Sequence, residues 1–132
     1  MITLDTSGIV ALAKTKDANH ARARAALEGV DDVTVVPAPI LAEVTYMLDA
    51  RLGPRGVRAF LEGLTHGETL LDCADLDVPR VVELMQRYGD LGLGFPDASV
   101  IACAERNGGQ VLTFVRRDFE VVARDVPITL LP

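Results

Sequence analysis

The sequence is poor in cysteine and contains no long apolar run, and each shortage excludes a class of protein. Cys73 and Cys103 lie far apart and lack a C-x-x-C spacing, so neither a disulfide framework nor a zinc site is indicated, and buried free thiols are expected. No run approaches the roughly 18 apolar residues of a membrane span, and the first residues lack the basic segment of a secretory signal. We therefore expect a cytoplasmic protein without a membrane segment.

Positive charge is also scarce. The chain has 13 Lys and Arg against 19 Asp and Glu, a formal net charge of -6, and Lys14 and Lys16 are its only lysines. Binding phosphates over a broad surface normally recruits many basic residues, so any contact with RNA must be local. With 132 residues, 49% of them hydrophobic, the chain is expected to fold as a single domain spanning residues 1–132.

Segments typical of strands and helices alternate along the chain. Short β-branched or apolar runs predict strands, and longer runs with apolar residues at helical spacing predict helices. Strands are expected at Met1–Leu4, Val33–Val36, Thr69–Leu71, Val111–Phe114 and Val126–Leu131. Helices are expected at residues 17–28, from Pro39 to a stop at Gly53-Pro54, and at Gly56–Leu64, Asp77–Tyr88 and Pro96–Asn107, with a loop at Val115–Asp118. This alternation predicts an α/β fold with a central, mostly parallel sheet that helices cover on both faces.

Three carboxylates stand where this fold would bring them together. Asp5 ends the first strand, Glu43 flanks the apolar stripe of a helix, and Asp97 lies in the first turn of another helix. Taken singly, each carboxylate has a structural explanation, as a helix cap or a solvated charge. Thr6 and Ser7 are expected to cap the helix that follows Asp5. The loops after the first and fourth strands open at one edge of a parallel sheet, so Asp5 is expected to meet Val115–Asp118 there.

Carboxylates that converge repel one another. At about 5 Å and an effective dielectric constant near 20, each pair costs roughly 3 kcal/mol, and three pairs approach the ~5–15 kcal/mol that stabilises a whole domain. A hard divalent cation relieves this repulsion, and magnesium accepts a few carboxylate oxygens while keeping waters for substrate phosphates. Such an ion can activate water and stabilise charge on a phosphodiester, so the pattern predicts a metal-dependent phosphodiesterase site.

Four segments carry the motifs of a known family. They are LDTSGIVAL at Leu4–Leu12, PAPILAEVTYML at Pro37–Leu48, FPDASVIACAERNGG at Phe95–Gly109, and VLTFVRRDF at Val111–Phe119. In order and spacing they resemble the PIN domain and, within it, the VapC toxins of toxin-antitoxin modules. The resemblance implies a PIN-like three-layer α/β/α sandwich and an endoribonuclease that depends on Mg²⁺ or Mn²⁺. It also implies a homodimer and a VapB-type antitoxin that inserts into the acidic groove.

The resemblance assigns catalytic and metal-binding roles to the acidic residues. The family's first three acidic positions match Asp5, Glu43 and Asp97. Where the family usually has threonine, any residue and aspartate, this chain has Thr113, Phe114 and Val115, so the fourth acidic position is occupied by valine. Asp118, three residues further on, is a looser match for a fourth catalytic acid. The valine implies weakened metal binding and weakened activity.

Substrate contacts are expected from hydroxyls and arginines near these acids. Thr6, Ser7 and Thr113 match positions that commonly line the site in the family. Arg116 and Arg117 follow in the loop after the fourth strand, and arginine suits bidentate recognition of phosphate. These five residues form the predicted RNA-binding set.

Other functions fit the sequence less well. A hydrolytic triad of Ser7, His20 and Asp5 lacks the G-x-S-x-G turn, and Gly92-Leu93-Gly94 lacks the further residues of a phosphate-binding loop. A receiver domain or a haloacid-type phosphatase would need further acids after the first strand. One alternative stays open: a PIN fold that has lost catalysis and binds RNA or an antitoxin. Metal-dependent cleavage by the purified chain distinguishes it from the nuclease.

Overall fold

Five short strands form one all-parallel sheet. The computed structural model describes all residues, 1–132. The strands are β1 (Ile2–Leu4), β2 (Thr34–Pro37), β3 (Leu70–Asp72), β4 (Gln110–Leu112) and β5 (Thr129–Leu131), and they lie in the order β3-β2-β1-β4-β5. In the central strand β1, Thr3 is paired with Val35 on one side and Val111 on the other. All five predicted strands are confirmed, although the fourth ends at Leu112 rather than Phe114 and the last begins only at Thr129.

Six helices pack around this sheet. They are α1 (Thr6–Ala13), α2 (His20–Leu27), α3 (Leu41–Thr65), α4 (Val78–Arg87), α5 (Phe95–Arg106) and α6 (Arg117–Val122). Helix α1 packs against α2 and α3, whereas α5 packs against α4 and against strands β1, β2 and β4. The predicted α/β class, with a parallel sheet between helices, is confirmed. None of the helices combines the length and the apolar character that crossing a bilayer requires.

The segment after β4 is helical where a loop was expected. Helix α6 begins at Arg117, so the predicted loop Val115–Asp118 is wrong for its last two residues. Phe119 and Val122 are almost fully buried, and their spacing of three places them on one face of the helix. The burial of these side chains stabilises a helix that is too short to show a periodic pattern in the sequence.

A glycine converts the predicted end of a helix into a kink. Helix α3 continues past Gly53 and Pro54 to Thr65, so the two helices expected on either side of this pair are two halves of one kinked element. Gly53 has φ of 72° and ψ of -175°, a conformation that favours glycine, and proline is well suited to the first turn that follows. The predicted stop is therefore a break in direction rather than the end of the helix.

The two cysteines form a disulfide bond. Cys73 follows β3, Cys103 lies on the buried face of α5, and both pack with Val35 of β2. The predicted burial is confirmed, because the two residues are 1% and 0% exposed, but the expectation of free thiols is wrong. Their Cα atoms lie 5.4 Å apart, within the range for a disulfide. A separation of 30 residues carries no spacing motif, so only the packing of α5 on the sheet brings them together.

Gly8 allows α1 to lie directly against the end of β4. A Cβ atom at this position would lie 2.6 Å from the backbone carbonyl oxygen of Leu112, closer than a side chain tolerates. The same carbonyl accepts a hydrogen bond from the backbone N–H of Asp5 at 3.1 Å. The close approach therefore places the start of α1 beside the residues that follow β4.

Candidate functional site

An acidic cavity of about 670 Å³ opens at the edge of the sheet where β1 and β4 end. Its wall contains all three carboxylates that the sequence predicts, those of Asp5, Glu43 and Asp97. Ligands of parallel α/β sheets bind beyond the carboxyl ends of the strands, and this cavity lies there. Residues from α1, α3 and α5 thus meet at one site although 92 positions separate Asp5 from Asp97 in the sequence.

Asp5 is buried at the bottom of this arrangement and held by two hydroxyl groups. Its side chain is 5% exposed, and its Oδ2 accepts hydrogen bonds from Thr113 Oγ1 at 2.8 Å and from Ser7 Oγ at 3.0 Å. Burial raises the pKa of Asp5 above its usual value, and these hydrogen bonds oppose the shift by stabilising the carboxylate. The carboxylate therefore has a fixed orientation in a poorly solvated site.

Ser7 and Thr113 connect α1 to the segment after β4. Ser7 Oγ accepts a hydrogen bond from the backbone N–H of Phe114 at 2.9 Å while it donates to Asp5. Thr113 Oγ1 accepts from the backbone N–H of Val115 at 3.2 Å. The predicted capping of α1 by Thr6 and Ser7 is wrong, because no side chain caps this helix. Both hydroxyls instead bind carboxylates of the cavity.

Glu43 accepts a hydrogen bond from the hydroxyl group of Thr6. It lies in the first turn of α3, and its Oε1 accepts a hydrogen bond from Thr6 Oγ1 at 2.6 Å. Thr6 itself is buried, whereas Glu43 is exposed. This contact joins the start of α3 to the start of α1.

Asp97 shows the strongest electrostatic effect in the site. It lies in the first turn of α5, and burial raises its pKa to about 6, with the negative charges of Asp5, Glu43 and Asp118 acting in the same direction. Arg51 is the one basic residue in the cavity wall. The carboxylates therefore repel one another without a matching number of neighbouring cations.

The residues of the loop after β4 lie in different environments. Val115 lines the cavity and is 63% exposed. Arg116 pairs with Glu120 at 3.1 Å and Arg117 with Asp118 at 3.1 Å, and neither arginine lies in the cavity wall. Asp118 is likewise outside the wall, although its charge acts on Asp97. Of the residues Val115–Asp118, only Val115 lines the cavity, and the predicted Arg116, Arg117 and Asp118 lie outside its wall.

The donor chemistry of the cavity suits a hard divalent cation. As the side chains stand, no three acidic residues, histidines or cysteines come close enough together to enclose a metal ion. The oxygen ligands that line the cavity belong to carboxylates, hydroxyls and the amide of Asn19, which suit Mg²⁺ and Mn²⁺, and no cysteine or histidine is among them. Asp5, Glu43 and Asp97 are thus ligands of the right type around an open, water-accessible space.

The cavity also contains residues that were not predicted from the sequence. Asp17, Tyr46 and Arg51 line it together with the carboxylates. Tyr46 lies three positions after Glu43, and this helical spacing places both residues on one face of α3. The spacing was the available signal for Tyr46. Arg51 and Asp17 lie on the wall only because of the way α3 and the segment before α2 pack.

Comparisons with known proteins agree with this geometry. The family model described as PIN domain matches residues 2–125. Ribonuclease VapC26 of Mycobacterium tuberculosis is 26% identical over 121 residues, which cover 90% of this chain and 90% of that protein. The resemblance predicted from the sequence motifs is therefore confirmed across nearly the whole chain.

Solved structures share the fold. Mycobacterium tuberculosis VapC20, described as a Sarcin-Ricin loop cleaving toxin, has a TM-score of 0.82 at 22% identity, with all of both chains covered. A chain of VapBC2 from Rickettsia felis, bound to a DNA fragment from their promoter, has a TM-score of 0.71 at 16% identity, with 98% of this chain and 97% of that chain covered. At these identities the similarity establishes the fold, and it confirms the predicted PIN-like architecture.

Proposed function

The chain belongs to the PIN domain family, and we propose that it is a VapC-type toxin, an endoribonuclease that uses a divalent metal ion held by Asp5, Glu43 and Asp97. The single domain spans residues 1–132. The observation that carries the proposal is the meeting of these three carboxylates in one cavity, where burial and mutual repulsion raise the pKa of Asp97 to about 6. Such repulsion is expected of a site built to hold a cation.

The side chains of the cavity have different proposed roles: some orient the carboxylates and one binds phosphate. Thr113 and Ser7 hold Asp5 in one orientation, and Thr6 does the same for Glu43. A bound Mg²⁺ or Mn²⁺ would supply positive charge that stabilises the phosphodiester during cleavage and would lower the pKa of a water molecule. Arg51 offers guanidinium donors for a phosphate of the RNA. Two further groups lie outside the cavity wall. Arg116 and Arg117 are candidates for contacts with longer RNA. The charge of Asp118 raises the pKa of Asp97.

We expect calorimetric titration with MnCl₂ or MgCl₂ to show metal binding by the wild-type protein. Asp5→Asn and Asp97→Asn should each weaken that binding by about tenfold or more, because each removes an oxygen ligand together with its charge. Glu120→Gln is a matched control, since Glu120 pairs with Arg116 outside the cavity. If both cavity variants bind metal as well as the parent does, the assignment of the site is wrong.

Val115 motivates a second candidate function, a PIN domain with impaired catalysis that binds RNA or an antitoxin. Its side chain faces the cavity but offers no ligand atom. We expect Val115→Asp to raise Mg²⁺ affinity and the rate of cleavage by about tenfold or more, because it adds a charged oxygen ligand. Val30→Asp is the control, since Val30 is also exposed but precedes β2 at the opposite edge of the sheet.

Two results would change this account of Val115. If Val115→Asp alters neither metal affinity nor cleavage while Asp118→Asn abolishes activity, Asp118 is the fourth acid. If the wild-type protein and Val115→Asp both bind RNA without cleaving it, the impaired module replaces the nuclease.

The proposed partners are a second copy of the chain and a VapB-type antitoxin. An acidic cavity that accommodates a cation also accommodates an arginine side chain, whose two donors match a carboxylate and would occupy the place of the metal. Co-expression with the antitoxin from the same operon should give a complex that purifies intact, and light scattering should show a dimer at micromolar concentration. A monomer at that concentration, or a toxin that purifies without its antitoxin, would contradict this part of the proposal.

A further inference from the structure

Tyr46 is an exposed aromatic ring at the mouth of the acidic cavity. Its side chain is 74% exposed, although it lies on α3 only three residues from Glu43. Its hydroxyl group makes no hydrogen bond within the chain. A large ring held by a helix and covered by nothing has an accessible face on which a planar ligand can stack.

Tyr46 separates two depressions of the surface. On one side it lines the acidic cavity together with Arg51, and on the other it lines an open depression of about 460 Å³ together with Arg58. Neither arginine takes part in an ion pair, and both are exposed. An aromatic ring thus lies between two free guanidinium groups, next to the carboxylates.

Six of the other nine arginines of the chain are paired. Those that pair with carboxylates are Arg24, Arg80, Arg87, Arg106, Arg116 and Arg117. Arg22, which is in no ion pair, lies 5.5 Å from the ring centre of Phe114, another residue of the cavity wall. Lys14, Lys16, Arg55 and Arg124 are likewise in no ion pair, so three of the chain's seven unpaired basic side chains, those of Arg22, Arg51 and Arg58, lie around Tyr46 and the cavity.

We propose that Tyr46 is a base-stacking residue, on which one base of the RNA stacks beside the phosphate that is cut, while Arg51 and Arg58 bind the flanking phosphates. This inference rests on the proposed ribonuclease function. Proteins that hold single strands combine aromatic platforms with basic groups that follow the backbone, and Tyr46 with its two arginines has that composition. A base must leave its helix to stack in this way, so the RNA contacts Tyr46 through an unpaired nucleotide.

Carboxylates, including Asp17 in the cavity and Asp49 beside Arg58, outnumber the two arginines around Tyr46, so net charge alone does not select the ligand. RNA is favoured because its phosphates are attracted by Arg51 and Arg58 while one of its bases can cover the free face of the ring. Stacking also explains an exposed tyrosine without requiring an apolar partner.

The test measures stacking directly. A short single-stranded oligoribonucleotide of mixed sequence, carrying the fluorescent adenine analogue 2-aminopurine, is titrated with full-length protein that carries Asp5→Asn to prevent cleavage. Stacking on Tyr46 should change the fluorescence on binding. Adding Tyr46→Ala should weaken binding by about 5- to 150-fold and remove the fluorescence change, whereas Tyr46→Phe, which keeps the ring, should stay within about twofold of the parent. Arg51→Gln and Arg58→Gln should each lower the slope of binding against salt by about one.

Cleavage kinetics with Asp5 restored complete the test. Tyr46→Ala should raise KM with little change in kcat, since the groups around the scissile phosphate stay in place. Leu76→Ala and Arg124→Gln are controls, because both residues are exposed and neither lines a cavity. If Tyr46→Ala keeps the fluorescence change and the KM of the wild-type protein, the inference fails while the ribonuclease survives. If Tyr46→Phe weakened RNA binding as much as Tyr46→Ala does, the hydroxyl group rather than the ring would make the contact, and the stacking proposal would be wrong. A wild-type protein that neither binds nor cuts RNA would overturn both proposals.

Discussion

We expect Asp5→Asn to lower the rate of RNA cleavage by about two orders of magnitude or more while the fold is retained. The substitution removes the most buried charge of the cavity and one predicted metal ligand, and even residues that only orient a ligand typically cost 10- to 100-fold when lost. The asparagine carbonyl oxygen still accepts hydrogen bonds from Ser7 and Thr113, so the packing around position 5 should survive. Initial rates on a fluorescent RNA, with circular dichroism to verify the fold, measure both effects.

Asp31→Asn is the control for this result. Asp31 is exposed and precedes β2, so it lies at the opposite edge of the parallel sheet from Asp5. We expect its cleavage rate to equal that of the wild-type protein within about twofold, since exposed charges far from a site interact weakly through solvent. Equal activity of Asp5→Asn and Asp31→Asn would contradict the assignment of the cavity.

Asp97→Asn should stabilise the metal-free protein and abolish cleavage at the same time. A pKa of about 6 in the folded protein, against an ordinary value near 4, means that folding forces Asp97 to carry its charge unfavourably at pH 7.5. The shift corresponds to about 3 kcal/mol before solvent screening. Because Asp97 is partly exposed and its charge favours the start of α5, we expect a net gain of about 1 kcal/mol in the free energy of unfolding.

The pH dependence gives the sign of this effect. The folded protein binds a proton at Asp97 more tightly than the unfolded chain does, so the penalty is complete above about pH 7 and fades as the pH falls from 6 to 4. Urea titrations of both proteins in the presence of a chelator should therefore show the largest advantage of Asp97→Asn at pH 7.5 and none near pH 4. An Asp97→Asn protein that is less stable than the parent at pH 7.5 would show that the carboxylates do not repel one another as argued.

The sequence predicted the sheet and the acids because both leave strong local signals. A β-branched run such as Val33–Val36 is typical of a strand. Asp5 follows a predicted strand and Asp97 lies at the start of a predicted helix, both within motifs that resemble those of the family. Parallel topology then brings the ends of β1 and β4 to one edge. These rules predicted that Asp5 would meet Val115–Asp118, and Val115 does line the same cavity as Asp5.

The features that were missed depend on packing over long distances in the sequence. The Cys73–Cys103 bond requires α5 to lie across β2 and the end of β3, and no spacing rule encodes that crossing. Arg51 reaches the cavity because of how α3 packs against α1, and α6 is stabilised by the burial of Phe119 rather than by its own propensity. Local patterns identify the elements and their chemistry, whereas tertiary packing decides which side chains share a surface.

Incubation of total RNA with the purified protein, in parallel with MgCl₂ and with excess EDTA, tests whether this chain is a metal-dependent ribonuclease. We expect discrete cleavage fragments with magnesium, no fragments with EDTA, and none with Asp5→Asn under either condition, because cleavage requires the cation that the carboxylates hold. Fragments that persist in EDTA would contradict a metal-dependent mechanism. Intact RNA in the presence of magnesium, with the wild-type protein and with Val115→Asp alike, would contradict the assignment of this chain as a ribonuclease.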